Sequence, residues 1–108
     1  MKSVMLIGMF SVFSVSAIAS DELITVAKAS ISYDMKDPES SKFRDIKINK
    51  TRGGADILCG QVNAKNSYGA YTGFTDFYYL NTDFKAIRPK DDSSINFNAI
   101  WNSNCKKK

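Results

Sequence analysis

The chain has 108 residues, two cysteines, one tryptophan and no histidine. That length allows one domain with a modest core. The missing histidine removes the commonest general base and metal ligand together, so Ser-His-Asp and Cys-His arrangements cannot be built. A formal charge of +4 does not point to nucleic acid: with Lys2 set aside, the excess resides in Lys106, Lys107 and Lys108, and Ser20 to Cys105 is neutral, with no basic stripe.

The first segment, "MKSVMLIGMFSVFSVSAIAS", opens with one lysine, continues as an apolar run from Val4 to about Val15, and leaves through small residues. Ala17 and Ala19 supply the small side chains that a signal peptidase pocket reads, so the expectation is a signal peptide over 1–19, cleaved after Ala19. The competing reading is a retained anchor, for which the run is short of the roughly 20 apolar residues a spanning helix needs. Removing 19 of 108 residues leaves 89, read as a single domain over 20–105 with a basic tail at 106–108. An exported chain enters an oxidising space, and its two cysteines, Cys59 and Cys105, then read as one disulfide. Such a bridge closes a long loop and contributes roughly 3–4 kcal/mol in the chain-entropy model. A redox pair or a metal site is the alternative, weakened by the absence of C-x-x-C and of histidine.

From Ser20, "SDELITVAKASISYDM" reads as an amphipathic helix. Ser20 or Asp21 is its N-cap, Asp21 and Glu22 lie where the helix dipole favours negative charge, and Leu23, Ala27 and Ile31 form a stripe that Ile24 and Val26 widen. "DPES" predicts one short helical turn with Asp37 as cap and Pro38 in the first position. The carboxylates there, Asp34, Asp37 and Glu39, do not have the spacing of an EF-hand loop, and no metal site is expected.

The period then changes. Phe43, Ile46 and Ile48 lie among charged residues, with Ile46 and Ile48 alternating with Asp45 and Lys47 as in a half-buried strand. "NKTRGGA" is turn chemistry, with Gly53 and Gly54 free to adopt positive φ. "DILCGQVNA" is the second strand, and "FTDFYYL" and "FKAIR" are two more, joined through Asn81-Thr82-Asp83 and ended by Pro89. "KDDSS" is a loop. In "SINFNAIWNSNC", Phe97, Ile100, Trp101 and Cys105 make a helical stripe with Asp92 or Ser93 as cap, while a strand through Ile95, Phe97 and Ala99 competes with it. The fold expected is α+β: an N-terminal helix on a small, mainly antiparallel sheet of about four strands, with the C-terminal segment tied to the second strand.

Candidate chemistry concentrates in "CGQVNAKNSYGAYTGFTDFYY", Cys59 to Tyr79. Gly60 in a strand lets a disulfide partner or a ring come close. Asn63 and Asn66 suit turns, and Gly69 and Gly73 let the chain bend on either side of Tyr71. Phe74, Phe77 and Tyr79 resume strand character, and rings laid over glycines cover exposed backbone in a curved sheet. Most of the stretch is therefore a bent hairpin with an aromatic cover. Lys65, Asn66, Tyr68, Tyr71 and Phe74 remain as a binding surface, with rings for anchoring and polar groups for register. The enzymatic alternative is a small hydrolase or carbohydrate-binding protein using Lys65 or Asp76. A Lys65–Ser67 pair lacks an S-x-x-K pattern, and Asp91 and Asp92 read as loop solvation rather than as a glycosidase pair. No catalytic residue and no cofactor is assigned.

The segments "DPESSKFRDI" and "CGQVNAKNSYGAYTGF", followed by Trp101 and Cys105, resemble a family of small exported bacterial proteins of unknown function. Its members carry a signal peptide, a D-P-x-S-x-x-F-R segment, a C-G-x-V-N-x-K-N-x-x-G-x-Y-x-G-F segment and a late cysteine. The likeness covers about Asp37 to Cys105 and implies a Cys59–Cys105 bridge in an exported domain. It supplies no activity and does not extend to Lys106–Lys108. The expectation is a non-enzymatic periplasmic or secreted domain whose partner is an envelope or secreted protein, with no integral membrane span after signal removal. An inhibitor of a cell-wall hydrolase is one form this would take, by analogy with other small exported domains.

Overall fold

A computed structural model describes residues 20–90 and 95–106. The expected signal peptide, the loop 91–94 with its proposed caps, and Lys107 and Lys108 lie outside the described residues. In chain order the elements are α1 (Ser20–Tyr33), a 3-10 turn (Pro38–Ser40), β1 (Lys42–Lys50), β2 (Asp56–Asn63), β3 (Thr75–Asn81), β4 (Phe84–Ile87) and α2 (Ile95–Asn104). The four strands form one antiparallel sheet in the order β1-β2-β3-β4. The C-terminal segment is thus a helix rather than a strand. Among the described residues, no helix is long and apolar enough to cross a membrane.

The sheet is covered on both faces, one helix to each. Alternation in β2 and β3 divides the apolar residues accordingly. Leu58, Val62, Phe77 and Tyr79 pack with Leu23, Ala27 and Ile31 of α1, joined at the margin by Phe43, Ile46, Ile48 and Ile87. Ile57, Cys59 and Tyr78 pack with Phe97 and Cys105 on the α2 side, with Leu80, Ala86, Ile100 and Trp101 beside them. Burial of the Tyr78 phenol raises its pKa above the ordinary tyrosine value.

On α1 the buried stripe is Leu23, Ala27 and Ile31, as the spacing predicts, and Ile24 joins it. Val26 does not: it is exposed, being on the outer side of the stripe. Lys85 of β4 fastens the end of this helix, its Nζ donating to Ser30 O (3.1 Å) and Oγ (2.7 Å) and pairing with Asp34 (3.0 Å). Asp37 precedes the 3-10 turn but makes no side-chain cap bond. Instead its carbonyl accepts from Ser40 N (3.0 Å) and Ser40 Oγ (2.7 Å). The disulfide Cys59–Cys105 joins β2 to the residue after α2, with Cα atoms 5.6 Å apart. Asn49 of β1 adds a second tie, Nδ2 donating to Asn104 O at 2.8 Å.

β1 is not the regular strand its Ile46–Ile48 alternation predicts. Its register with β2 runs Arg44↔Gln61 and then Lys47↔Cys59, so one extra residue is accommodated and a bulge results. Asp45 occupies it with φ 56°, a left-handed conformation that aspartate tolerates better than most side chains. The bulge lets Phe43 and Ile46, three residues apart, both face α1. Of the two turn glycines after β1, only Gly54 has positive φ.

Gly60 lies opposite Phe77 across the β2–β3 pairing. A Cβ there would come within 2.5 Å of Ile46 Cδ1 and 3.1 and 3.2 Å of the Phe77 ring. The ring, and not the disulfide partner, is therefore what the missing side chain admits, together with the bulged Ile46. Gly60→Ala is expected to destabilise the fold by about 1–3 kcal/mol through overpacking. Adding Ile46→Val, which removes the clashing methyl, should recover part of that loss. Urea titration of the single and double variants checks it, and strictly additive losses would show that Ile46 is not the obstacle.

Candidate functional site

The connection between β2 and β3 folds back on itself. Lys65 and Tyr71 form an antiparallel bridge, and between them Gly69 N donates to Asn66 O (3.0 Å) and Asn66 N to Ala70 O (2.9 Å). The Asn66 side chain completes the turn, its Oδ1 accepting from Tyr68 N (2.9 Å) and Ala70 N (3.1 Å). This is the role asparagine plays in turns, bonding backbone two residues on. Gly69 and Gly73 have φ of 79° and 115°, and Gly73 N donates to Asn63 Oδ1 at 3.2 Å. The bend on either side of Tyr71 is thus built as the glycines predict.

Ser40 attaches this loop to the 3-10 turn. Its Oγ accepts from Lys65 N (2.8 Å), and its carbonyl accepts from the Tyr71 hydroxyl (2.7 Å). Cations lie over the rings: Lys42 Nζ is 4.7 Å and Lys65 Nζ 5.9 Å from the Tyr71 centroid, and the Arg44 guanidinium is 4.0 Å from that of Phe74. Placed over the ring faces within about 6 Å, they are held by the ring quadrupole.

The five residues expected to form one surface therefore have different roles. Lys65 and Tyr71 meet. Asn66 spends its oxygen on the turn. Phe74 is half-buried beneath Arg44 and precedes β3 rather than belonging to it. Tyr68 stands clear, 93% exposed. Ser40, Lys42 and Arg44, which complete the arrangement, were not read from the sequence. Lys42 and Arg44 are two apart on one strand face, a spacing that marks them once the strand is assigned.

Asp76, the other residue of the enzymatic alternative, belongs to a polar chain on the α2 side. Arg44 Nε donates to Gln61 Oε1 (2.7 Å), and Gln61 Nε2 to Asp76 Oδ1 (2.9 Å). Arg88 approaches Asp76 Oδ2 through Nε (3.1 Å) and Nη2 (3.0 Å), while its Nη1 donates to Asn98 Oδ1 (2.5 Å). The same guanidinium lies 4.6 Å from the Phe97 ring centroid. Both carboxylate oxygens of Asp76 are thus engaged, and Lys65 is engaged elsewhere, with Tyr71. Beside this chain is a cleft of about 490 Å³ bordered by Asp45, Lys47, Gln61, Asp76, Trp101 and Lys106, with Gly60 and the Cys59–Cys105 bridge also lining it. Among the described residues, no group of three or more acidic or cysteine side chains is placed to hold a metal.

No family model, no curated protein and no solved structure matches the chain.

Proposed function

We propose that this chain is a small, exported, non-enzymatic binding domain that presents the Lys65–Phe74 loop to a protein of the cell envelope or to a secreted one. The observation that carries the reading is Tyr68: a whole tyrosine ring, 93% exposed, on a turn whose backbone Asn66 already fixes. An aromatic anchor on a preordered backbone loses little conformational entropy on binding, which is what makes such residues effective at interfaces. Lys42 and Lys65 around Tyr71 supply polar contacts at its rim. Export is supported by the signal-like N-terminal sequence and is compatible with the buried disulfide.

Tyr68→Ala separates binding from folding. The residue is 93% exposed, so stability should change by no more than about 0.5 kcal/mol, whereas affinity for the partner should fall roughly tenfold or more if the ring is an anchor. Tyr71→Ala is unsuited to this purpose because it also breaks the bond to Ser40. Cross-linking and capture from an envelope extract, with wild type and Tyr68→Ala side by side, reads the difference. Partner capture that is indifferent to Tyr68 removes the loop from consideration.

A further inference from the structure

The α2 side of the sheet has an opening that the loop reading does not use. Helix α2 covers Ile57, Cys59 and Tyr78 and ends at Asn104. Past that end, the cleft of about 490 Å³ lies between the β1 bulge and Trp101. Its volume falls within the roughly 300–1,000 Å³ typical of small-molecule sites.

The groups around it are of mixed sign. Lys47 and Lys106 are in none of the ion pairs of the described residues. Lys106 is not a loose tail residue there: its backbone N–H donates to Trp101 O at 2.9 Å. The Asp45 carboxylate, 75% exposed, has only a distant contact with Arg44 (3.9 Å). The Gln61 amide is oriented by its bonds to Arg44 and Asp76, using one lone pair and one N–H and leaving one of each. Asp76 adds a carboxylate already neutralised by Arg88.

These groups discriminate among ligands. A small anion would meet Asp45, and a small cation would meet Lys47 and Lys106. An apolar molecule would strip water from all three charges without replacing their hydrogen bonds, a costly exchange. A neutral polyol suits both signs, because each hydroxyl donates to a carboxylate or accepts from an ammonium. If it is a sugar ring, its C–H surface also matches the indole. We propose that this cleft binds a neutral saccharide, with one sugar ring against Trp101 and its hydroxyls shared between Asp45, Lys47 and Gln61. The left-handed backbone at Asp45 is consistent with this, since sparsely populated conformations persist where the surrounding structure holds them and cluster at ligand sites.

Trp101 is the only tryptophan in the chain, so its fluorescence reports on this cleft directly. The purified disulfide-bonded protein is titrated with glucose, galactose, N-acetylglucosamine, maltose and chitobiose, and with sodium phosphate and arginine as charged controls. At least one sugar should give a saturable change with a Kd of about 10 mM or tighter. Asp45→Gly keeps the left-handed backbone free of strain, and Lys47→Met keeps the stem. Each should weaken that response roughly tenfold, as loss of a hydrogen bond to a charged group does, while the fold is retained, with relief of the left-handed strain offsetting the added chain freedom in Asp45→Gly. Tyr68→Ala should bind sugar as wild type does, so this result and the loop result can fail separately. The proposal is overturned if no sugar saturates, if phosphate or arginine alone does, or if both cleft variants bind sugar normally.

Discussion

Replacing Cys59 and Cys105 together by alanine is expected to lower the free energy of unfolding by about 4 kcal/mol, the chain-entropy value for a loop of this length. The bridge spans 46 residues, from the middle of β2 to the residue after α2. The loop it closes contains the Tyr68 turn, β3, β4 and α2. Its removal also takes two buried sulfur atoms from the smaller of the two apolar clusters, where Cys59 and Cys105 are 0% and 2% exposed. Within α2 itself that cluster has one buried residue, Phe97, so the bridge adds to the partly buried Ile100 and Trp101 and to the Asn49 and Arg88 bonds in holding the helix on the sheet. Guanidinium titration of the double variant against wild type measures the loss, with the slope showing whether the unfolded ensemble has expanded as well. A loss below about 1 kcal/mol would mean that the unbridged chain keeps its ends together by other contacts.

The second large effect is on the opposite face. Phe77→Ala should cost about 3–5 kcal/mol, the range for removing a fully buried ring. Phe77 is 0% exposed, meets Phe43 edge-to-face at 5.7 Å, and lies over the backbone of Gly60. Alanine would leave both the cavity and an uncovered glycine in the central strand pair. Phe77→Leu refills part of the volume without the flat cover, and its cost should fall between wild type and alanine. Urea midpoints order the three proteins. If leucine proves as costly as alanine, the ring's position over Gly60 matters more than its volume.

What could be read in advance follows from which interactions are local. The α1 stripe of Leu23, Ala27 and Ile31 depends on spacing within one helix, and Asp21 and Glu22 do fall in its first turn. The Asn81-Thr82-Asp83 hairpin and the end of β4 before Pro89 are set by turn chemistry, and all four expected strands are present, with Phe74 and Arg88 falling just outside β3 and β4. The run Ile57-Leu58-Cys59-Gly60, buried throughout, reflects a strand covered from both sides.

Other features were present in the sequence but are ambiguous without a partner. Phe43 and Ile46 are three apart, an odd spacing that a period-two strand can reconcile only with an extra residue. Asp37 before Pro38 has the right chemistry for a cap, yet Ser40 takes the carbonyl and the carboxylate makes no cap bond. Of the candidate surface, the exposure of Tyr68 and the meeting of Lys65 with Tyr71 follow from the turn itself. The contribution of Ser40, 31 residues before Tyr71, does not. Nor does the cleft: Asp45, Gln61 and Trp101 are brought together by sheet register and by the bridge at Cys105, long-range facts that no local pattern encodes.

The irregularity in β1 has one more consequence, for crowded solutions rather than for ligands. Sheets grow by recruiting strands at their rims, and this nine-residue strand is the longer of the two at the rim. Kinked at Asp45 and studded with Lys42, Arg44, Lys47 and Lys50, it offers an incoming chain neither straight backbone nor a neutral template. The residue that borders the cleft thereby also makes this rim a poor template for strand addition.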